Sequence, residues 1–317
     1  MPSLQSINKR IKSVKAVRKI TSAMELVAAT KMRRAQETAL NSRPYAFTAF
    51  EMLANTVRAL KAKEVDISTI PLLRKPETNM RAVLLVTSDK GLAGTFNSAV
   101  LRKFEQFASR FFKGKEKELV FVTVGEKAKD FAKRRGLNVA RSFSKHGDIA
   151  TPGETNELGK FLIDGYAAGT WGALTSFSTN FVSALKQEAL QRELLPIDFD
   201  NIRKSVDDLI PKTGRFSELR ERIQSARSEK SAEYIIEPSP EKALRKLVPA
   251  LFNMQIYHLI LESNASEHSA RRLAMKNASD NAKELTTELT TIYNRVRQEK
   301  ITNEILEITG GARALAG

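Results

Sequence analysis

Two long stretches poor in helix breakers constrain this chain more than any other feature. Residues 3–43 contain neither glycine nor proline, and no glycine occurs from Pro240 to Thr309. Within the first stretch Leu4, Ile7, Ile11 and Val14 step by three and four. Val17, Ile20, Met24 and Val27 continue the stripe after one shortened step. This is a narrow apolar seam of coiled-coil type. Alanines at 16, 23, 28, 29, 35 and 39 keep helix propensity high. Pro44 is expected to end or kink the helix, and Phe47, Phe50, Leu53, Val57 and Leu60 to resume it.

The second stretch starts with Ser239 as cap, Pro240 at the first helical position and Glu241 at the positive end of the dipole. Pro249 predicts a kink. Leu285, Leu289, Ile292 and Val296 form a seam. A five-residue step then reaches Ile301, followed by Ile305, Ile308, Ala312 and Leu315. That step should change the supercoil locally. Gly310 and Gly311 should stop or interrupt the helix. At 1.5 Å per residue, about 70 residues of helix reach roughly 105 Å. An isolated helix would leave its apolar stripe in water. The two ends are therefore expected to pair as an antiparallel coiled coil projecting from a globular middle. The tail from Ile301 to Leu315 is longer than its partner can cover, so it must enter another protein or fray.

The middle alternates strand and helix. Residues 81–88, 118–124 and 138–143 read as strands, with helices at 96–112, 126–135 and 152–169 and a strand pair within 171–195. Such alternation predicts a partly parallel sheet. The loop Asp89-Lys90-Gly91-Leu92-Ala93-Gly94 follows the first strand, where phosphates often bind. It matches neither the P-loop nor the dinucleotide fingerprint. Its glycines are read as serving a tight turn and close packing. Residues 196–232, with Asp198, Asp200, Asp207 and Asp208, read as a charged surface excursion.

Charge is distributed unevenly. The chain carries +16 overall. Lys9, Arg10, Lys12, Lys15, Arg18, Lys19, Lys31, Arg33 and Arg34 face a single acid, Glu25, within residues 1–34. A basic end of this kind suggests something acidic to meet it, either nucleic acid, an anionic membrane surface or acidic protein loops; the alternative is a solvated helix face. Cysteine is absent, which excludes disulfides, thiolate metal sites and thiol switches. His146, His258 and His268 lack metal-ligand spacing and read as structural. No cofactor or metal site is expected. The uncharged run 165–185 is too polar to span a bilayer, and 247–261 is too short. The expected protein is soluble or peripheral. The start at Met-Pro, without a secretory signal or an Arg/Ser-rich presequence, favours a bacterial cytoplasmic protein.

Three motifs carry a resemblance. The first is Lys19-Ile-Thr-Ser-Ala-Met-Glu-Leu-Val-Ala-Ala-Thr-Lys-Met32. The second is Thr87-Ser-Asp-Lys-Gly-Leu-Ala-Gly-Thr-Phe-Asn97. The third runs from Glu262 through Ser-Glu-His-Ser-Ala-Arg-Arg (266–272) to Asn281, and continues at 293–308. In this order they resemble the γ subunit of the bacterial-type rotary proton-translocating ATP synthase, the F-type ATPase. The resemblance is strong over 1–100 and 232–315.

It implies an α/β fold class in which a long antiparallel coiled coil of the terminal helices joins a small Rossmann-like domain. The implied division is 1–62 for the N-terminal helix, 80–195 for the α/β domain, 196–232 for an insertion and 238–317 for the C-terminal helix. The implied function is a central-stalk rotor subunit in ATP synthesis and proton transport. It carries torque between the proton-driven c-ring and the catalytic β subunits and has no catalytic residues of its own. The implied partners are three α and three β subunits, the ε subunit and the c-ring, with one copy of this chain per complex. It would be a peripheral membrane protein on the cytoplasmic face of the bacterial inner membrane, with no transmembrane segment.

Carried over by motif position, Met24, Lys31, Arg33 and Arg34 on the N-terminal helix and Arg297, Gln298, Thr302 and Glu307 on the C-terminal helix are partner contacts. Ile305, Ile308 and Leu315 form a bearing tail. Ala93 stands where many relatives have cysteine, so the chloroplast branch's dithiol switch is impossible here. The 196–232 excursion is expected to have a modest inhibitory role. Two rival readings compete. A nucleic-acid-binding coiled coil would use the +16 charge but lacks zinc ligands, long zipper heptads and an RNA-binding aromatic pattern. A nucleotide-using α/β enzyme lacks the phosphate fingerprint and a base–nucleophile pair.

Overall fold

A computed structural model describes residues 3–62, 72–74, 76–144, 150–197, 237 and 239–316. Most of the charged excursion, from 198 to 232, and His146 lie outside the described residues. The chain divides into two units, residues 1–29 with 271–317 and residues 30–270. Helix α1 (Leu4–Ala62) begins in the first unit, and the C-terminal helix, α5 (Pro240–Ala316), ends there.

The larger unit is organised around five strands: β1 (Arg81–Val86), β2 (Leu119–Val124), β3 (Val139–Phe143), β4 (Ala173–Phe181) and β5 (Gln187–Leu195). Their order is β3-β2-β1-β4-β5. The first four strands pair in parallel, and β5 closes one edge antiparallel to β4. β1 and β2 are near-continuous apolar runs because both faces of a parallel sheet are covered.

Alternation along β1 assigns the layers. Ala82, Leu84 and Val86 point to one side, where Leu158, Leu162 and Tyr166 of α4 (Pro152–Ala167) pack with Leu244, Val248, Phe252 and Ile256 of α5. Val83 and Leu85 point to the other, beneath α2 (Phe96–Phe111) and α3 (Glu126–Arg134). There Phe104 meets Phe121 and Phe177 edge-on, at centroid distances of 5.3 and 5.6 Å. Switching helices from one face to the other between β3 and β4 makes the sheet doubly wound.

The helix ends are locally encoded. Thr151 and Glu154 form a capping box ahead of α4, with Pro152 in the first turn. Ser239 Oγ accepts from the Lys242 N–H at the start of α5. Gly136, at φ 62°, follows α3 as expected of a helix-stopping glycine.

The smaller unit is a helix pair, the expected antiparallel coiled coil. Ile7 and Ile11 of α1 bury against Leu289 of α5, flanked by Val14, Leu285, Tyr293 and Val296. Pro249 lies inside helix α5, where the carbonyl freed by the missing N–H belongs to the exposed Arg245 and can be met by water. Several helix-boundary and seam expectations need correction. Helix α1 does not end at Pro44. Helix α5 does not stop at Gly310 and Gly311, where no packed neighbour or cap supplies a stop.

The seam of α1 does not shift to Val17, Ile20 and Val27, which are exposed at 49, 60 and 54%. The buried positions continue instead as Thr21, Ala28, Met32 and Ala35, in the phase set by Ile7 and Ile11. Thr21 can occupy a seam position because its hydroxyl bonds the Val17 and Arg18 carbonyls of its own helix. On α5 the seam uses Tyr293 where Ile292 was expected, and Ile292 is exposed.

Candidate functional site

Two places merit examination as sites: the loop after β1, and the outer faces of the terminal helices. The loop is closed on itself. The Thr87 hydroxyl accepts from the Ala128 N–H at 2.8 Å. The Ser88 carbonyl accepts from the Lys127 N–H at 3.1 Å, and Asp89 Oδ1 from the Glu126 N–H at 3.1 Å. The first three amides of α3 are therefore taken by the chain's own oxygens. In an open α/β sheet such amides are the anion-binding groups; here an internal carboxylate fills that role.

Asn97, in the first turn of α2, turns back in the same way. Its Oδ1 accepts from the Ser88 N–H at 2.9 Å and its Nδ2 donates to Ser88 Oγ at 2.8 Å. Gly125, at φ 92°, must be glycine, because a Cβ there would come within 2.5 Å of the Thr87 carbonyl oxygen. The loop motif is thus a clasp joining β1 to α2 and α3. The expected glycine turn is present, with Gly94 at φ 55° and Leu92 at φ 63°. Close packing is not the role of Gly91, which has open space around its Cβ direction.

The helix faces are different. On α1 the basic residues Lys9, Arg10, Lys12, Lys15, Arg18 and Lys19 are all exposed. Exposed Val17 lies among them, and exposed Ile20, Leu26 and Val27 follow. Of the expected contacts, Arg33 and Arg34 are exposed, while Met24 and Lys31 are half-buried. On α5, Arg297, Gln298, Thr302 and Glu307 are exposed. The Thr302 hydroxyl donates to the Gln298 carbonyl at 3.0 Å. Neighbouring charges pair along the helix, Arg295 with Glu299 at 3.1 Å and Lys300 with Glu304 at 3.6 Å. Such solvent-exposed pairs contribute about 0–1 kcal/mol each.

These residues do not gather into one cluster. Met24 lies ten residues along α1 from Val14, roughly 15 Å of helix, whereas Arg297 directly follows the seam residue Val296. Beyond the seam, Ile301, Ile305, Leu306 and Ile308 are exposed at 47, 55, 61 and 71%. The expectation of an uncovered apolar tail holds for these residues. The side chain of Leu315 lies outside the description. Val17, Ile20, Val27 and Ile292, expected in the seam, lie outside it. Strict heptads counted along α1 from Ile7 exclude Val17, Ile20 and Val27; on α5 the seam departs from the 4-3-4 spacing, and Tyr293 takes the place that this spacing gives Ile292.

Among the described residues no group of His, Asp or Glu side chains is arranged to hold a metal ion. Among them also, no helix is long and apolar enough to cross a membrane. His258 and His268 are buried within α5.

Comparison with known proteins gives a consistent result. A family model described as ATP synthase matches residues 3–315. The ATP synthase gamma chain of Synechococcus elongatus is 38% identical over 320 residues, covering all of both chains. That of Pelotomaculum thermopropionicum is 38% identical over 315 residues, covering 99% of this chain and 100% of its own. Among solved structures, a chain of the Euglena gracilis mitochondrial ATP synthase OSCP/F1/c-ring aligns with a TM-score of 0.63 at 17% identity, covering 98% of this chain and 94% of that one. A chain of the Tetrahymena thermophila mitochondrial ATP synthase central stalk/c-ring aligns with a TM-score of 0.54 at 23% identity, covering 82% and 99%. At these identities the two alignments establish a shared fold.

Proposed function

The chain belongs to the ATP synthase gamma-chain family, and from that premise we propose that it is the central-stalk rotor subunit of an F-type ATP synthase. One copy turns inside a ring of three α and three β subunits and contacts the ε subunit and the c-ring. Proton flow drives the rotation at the cytoplasmic face of a bacterial membrane, to which the chain is peripherally bound. Nucleotide chemistry belongs to the ring, and this chain supplies no catalytic residue.

The observation that carries this reading is the exposed apolar end of α5 beyond its seam. Several large apolar side chains in water on one helical turn after another mark a surface that a partner covers. A bearing formed by the top of the ring fits that requirement, with Ile305, Ile308 and Leu315 inserted. Arg297, Gln298, Thr302 and Glu307 offer polar contacts just below, and Met24, Lys31, Arg33 and Arg34 offer contacts on α1. The basic face of α1 fits acidic loops at the base of the β subunits. Its role is steering and coupling, since exposed charges add little binding energy singly.

Reconstitution with the organism's own α and β subunits tests the proposal. The expected product is a stoichiometric complex holding one copy of this chain, with ATP hydrolysis dependent on its presence. Folded subunits that fail to associate would overturn it and return the basic helix to a nucleic-acid role.

A further inference from the structure

Helix α5 contains a segment that neither the fold nor the stalk reading explains. Every residue from His258 to Ser269 is buried. A helix covered on all sides is ordinarily apolar on all sides, yet this one carries Glu262, Asn264, Ser266, Glu267, His268 and Ser269.

Three of these lie on one face, at i, i+4 and i+7, and all three bond to the β4–β5 hairpin. Arg192 Nη1 of β5 donates to Glu262 Oε2 at 3.2 Å, with the two side chains 12 and 5% exposed. Ser266 Oγ donates to the Thr179 carbonyl of β4 at 3.5 Å. Ser269 Oγ donates to the Ala184 carbonyl in the turn at 2.7 Å and accepts from Gln187 Nε2 at 3.2 Å. The hairpin thus holds α5 through both strands and through the turn between them.

The type of contact matters. Ile256, Leu259 and Ile260 join α5 to the apolar core by packing, whose driving force is non-directional. Hydrogen bonds fix distance and angle. The ion pair is a poor device for stability. Nε and Nη2 of Arg192 meet no protein acceptor, and a buried pair left incompletely bonded recovers little beyond its desolvation cost. Fixing register is the best-attested use of such a pair.

We propose that Arg192, Glu262, Ser266 and Ser269 form a torsional anchor that holds α5 to the β4–β5 hairpin against rolling about and sliding along its own axis. These are positioning residues: they make the sheet and the helix turn as one body. The inference rests on the stalk role proposed above.

The test is made in the complete complex, reconstituted with its own α and β subunits and membrane sector, reading ATP hydrolysis and ATP-driven proton pumping together. The variant Arg192→Met/Glu262→Met/Ser266→Ala/Ser269→Ala replaces the anchor with apolar groups and leaves no lone buried charge. Proton pumping per ATP hydrolysed is expected to fall about twofold or more, the range over which residues along a coupling route act, with hydrolysis itself retained. If the fourfold variant shows no cooperative melting, Ser266→Ala/Ser269→Ala decides, with a smaller fall in the same direction. A folded variant that pumps as many protons per ATP as the parent overturns the anchor. A parent chain that never supports coupled pumping overturns the stalk reading instead.

Discussion

The two units solve the burial of apolar side chains in opposite ways. In the larger unit nearly every large apolar residue of the sheet finds a partner within the chain. Leu84 and Val86 meet α4 and α5, and Val83 and Leu85 meet α2 and α3. In the smaller unit Ile7, Ile11 and Leu289 are buried. Val17, Ile20, Leu26, Val27, Ile292 and the run from Ile301 to Ile308 expose their apolar surface. The larger unit is finished by its own sequence. The smaller is written for surroundings that the chain does not contain. Exposed apolar surface normally counts against a fold, but here it describes a partner.

The sharpest way to break that comparison is to damage the finished unit. Phe177 is fully buried and meets Phe104 edge-on and Phe107 at a tilt. Phe177→Ala should cost about 3–5 kcal/mol of unfolding free energy, seen in denaturant titration as loss of the α/β transition. A cost near zero would mean that the layers are loosely packed and that the contrast between the units is false.

A smaller effect separates the units by pH. Tyr166 is buried, and its hydroxyl donates to the Arg74 carbonyl at 2.8 Å. Burial pushes its ionisation up from 10.0 to about 12. The neutral phenol is the form the fold holds, so its contribution is complete below pH 10. It is lost as pH rises from there through about 12, on the order of 2–3 kcal/mol in all. Tyr166→Phe should cost about 1 kcal/mol at neutral pH and flatten that alkaline decline. Denaturant midpoints measured across the range would show it, and an unchanged slope in the variant would refute it.

What could be read from sequence follows the same division. The strands, their helices and the start of α5 were legible because each is set by local pattern: apolar runs at β1 and β2, Ser239 ahead of Pro240, Gly136 after α3. The clasp of Thr87, Ser88, Asp89 and Asn97 was visible as a motif, but its meaning was not. The amides it satisfies belong to α3, which lies about forty residues away. The anchor on α5 was illegible for a related reason. Glu262 and Ser266 look like surface residues until the hairpin of residues 173–195 folds over them. In the coiled coil, hydrophobicity favoured Val17 and Ile20, whereas continuity of the heptad favoured Thr21 and Ala28. Geometry prevailed because a seam cannot change phase within one turn without unwinding both helices.

The smallest effect on the isolated chain tests the unfinished unit. Ile305 and Ile308 touch little, at 55 and 71% exposure. Replacing both with glutamine keeps helix propensity and removes apolar surface alone. In the isolated chain the change should lie within about 0.5 kcal/mol. In complex with the α and β subunits the same change should weaken association by at least about tenfold, since each covered side chain is worth about 1.5–3 kcal/mol. The two measurements must diverge for the comparison to stand. If affinity and stability are both untouched, the tail is a solvated helix end and the partner surface lies elsewhere on α1. If stability falls in the isolated chain, these isoleucines already belong to a core within the chain, and the unit is more complete than its exposure implies.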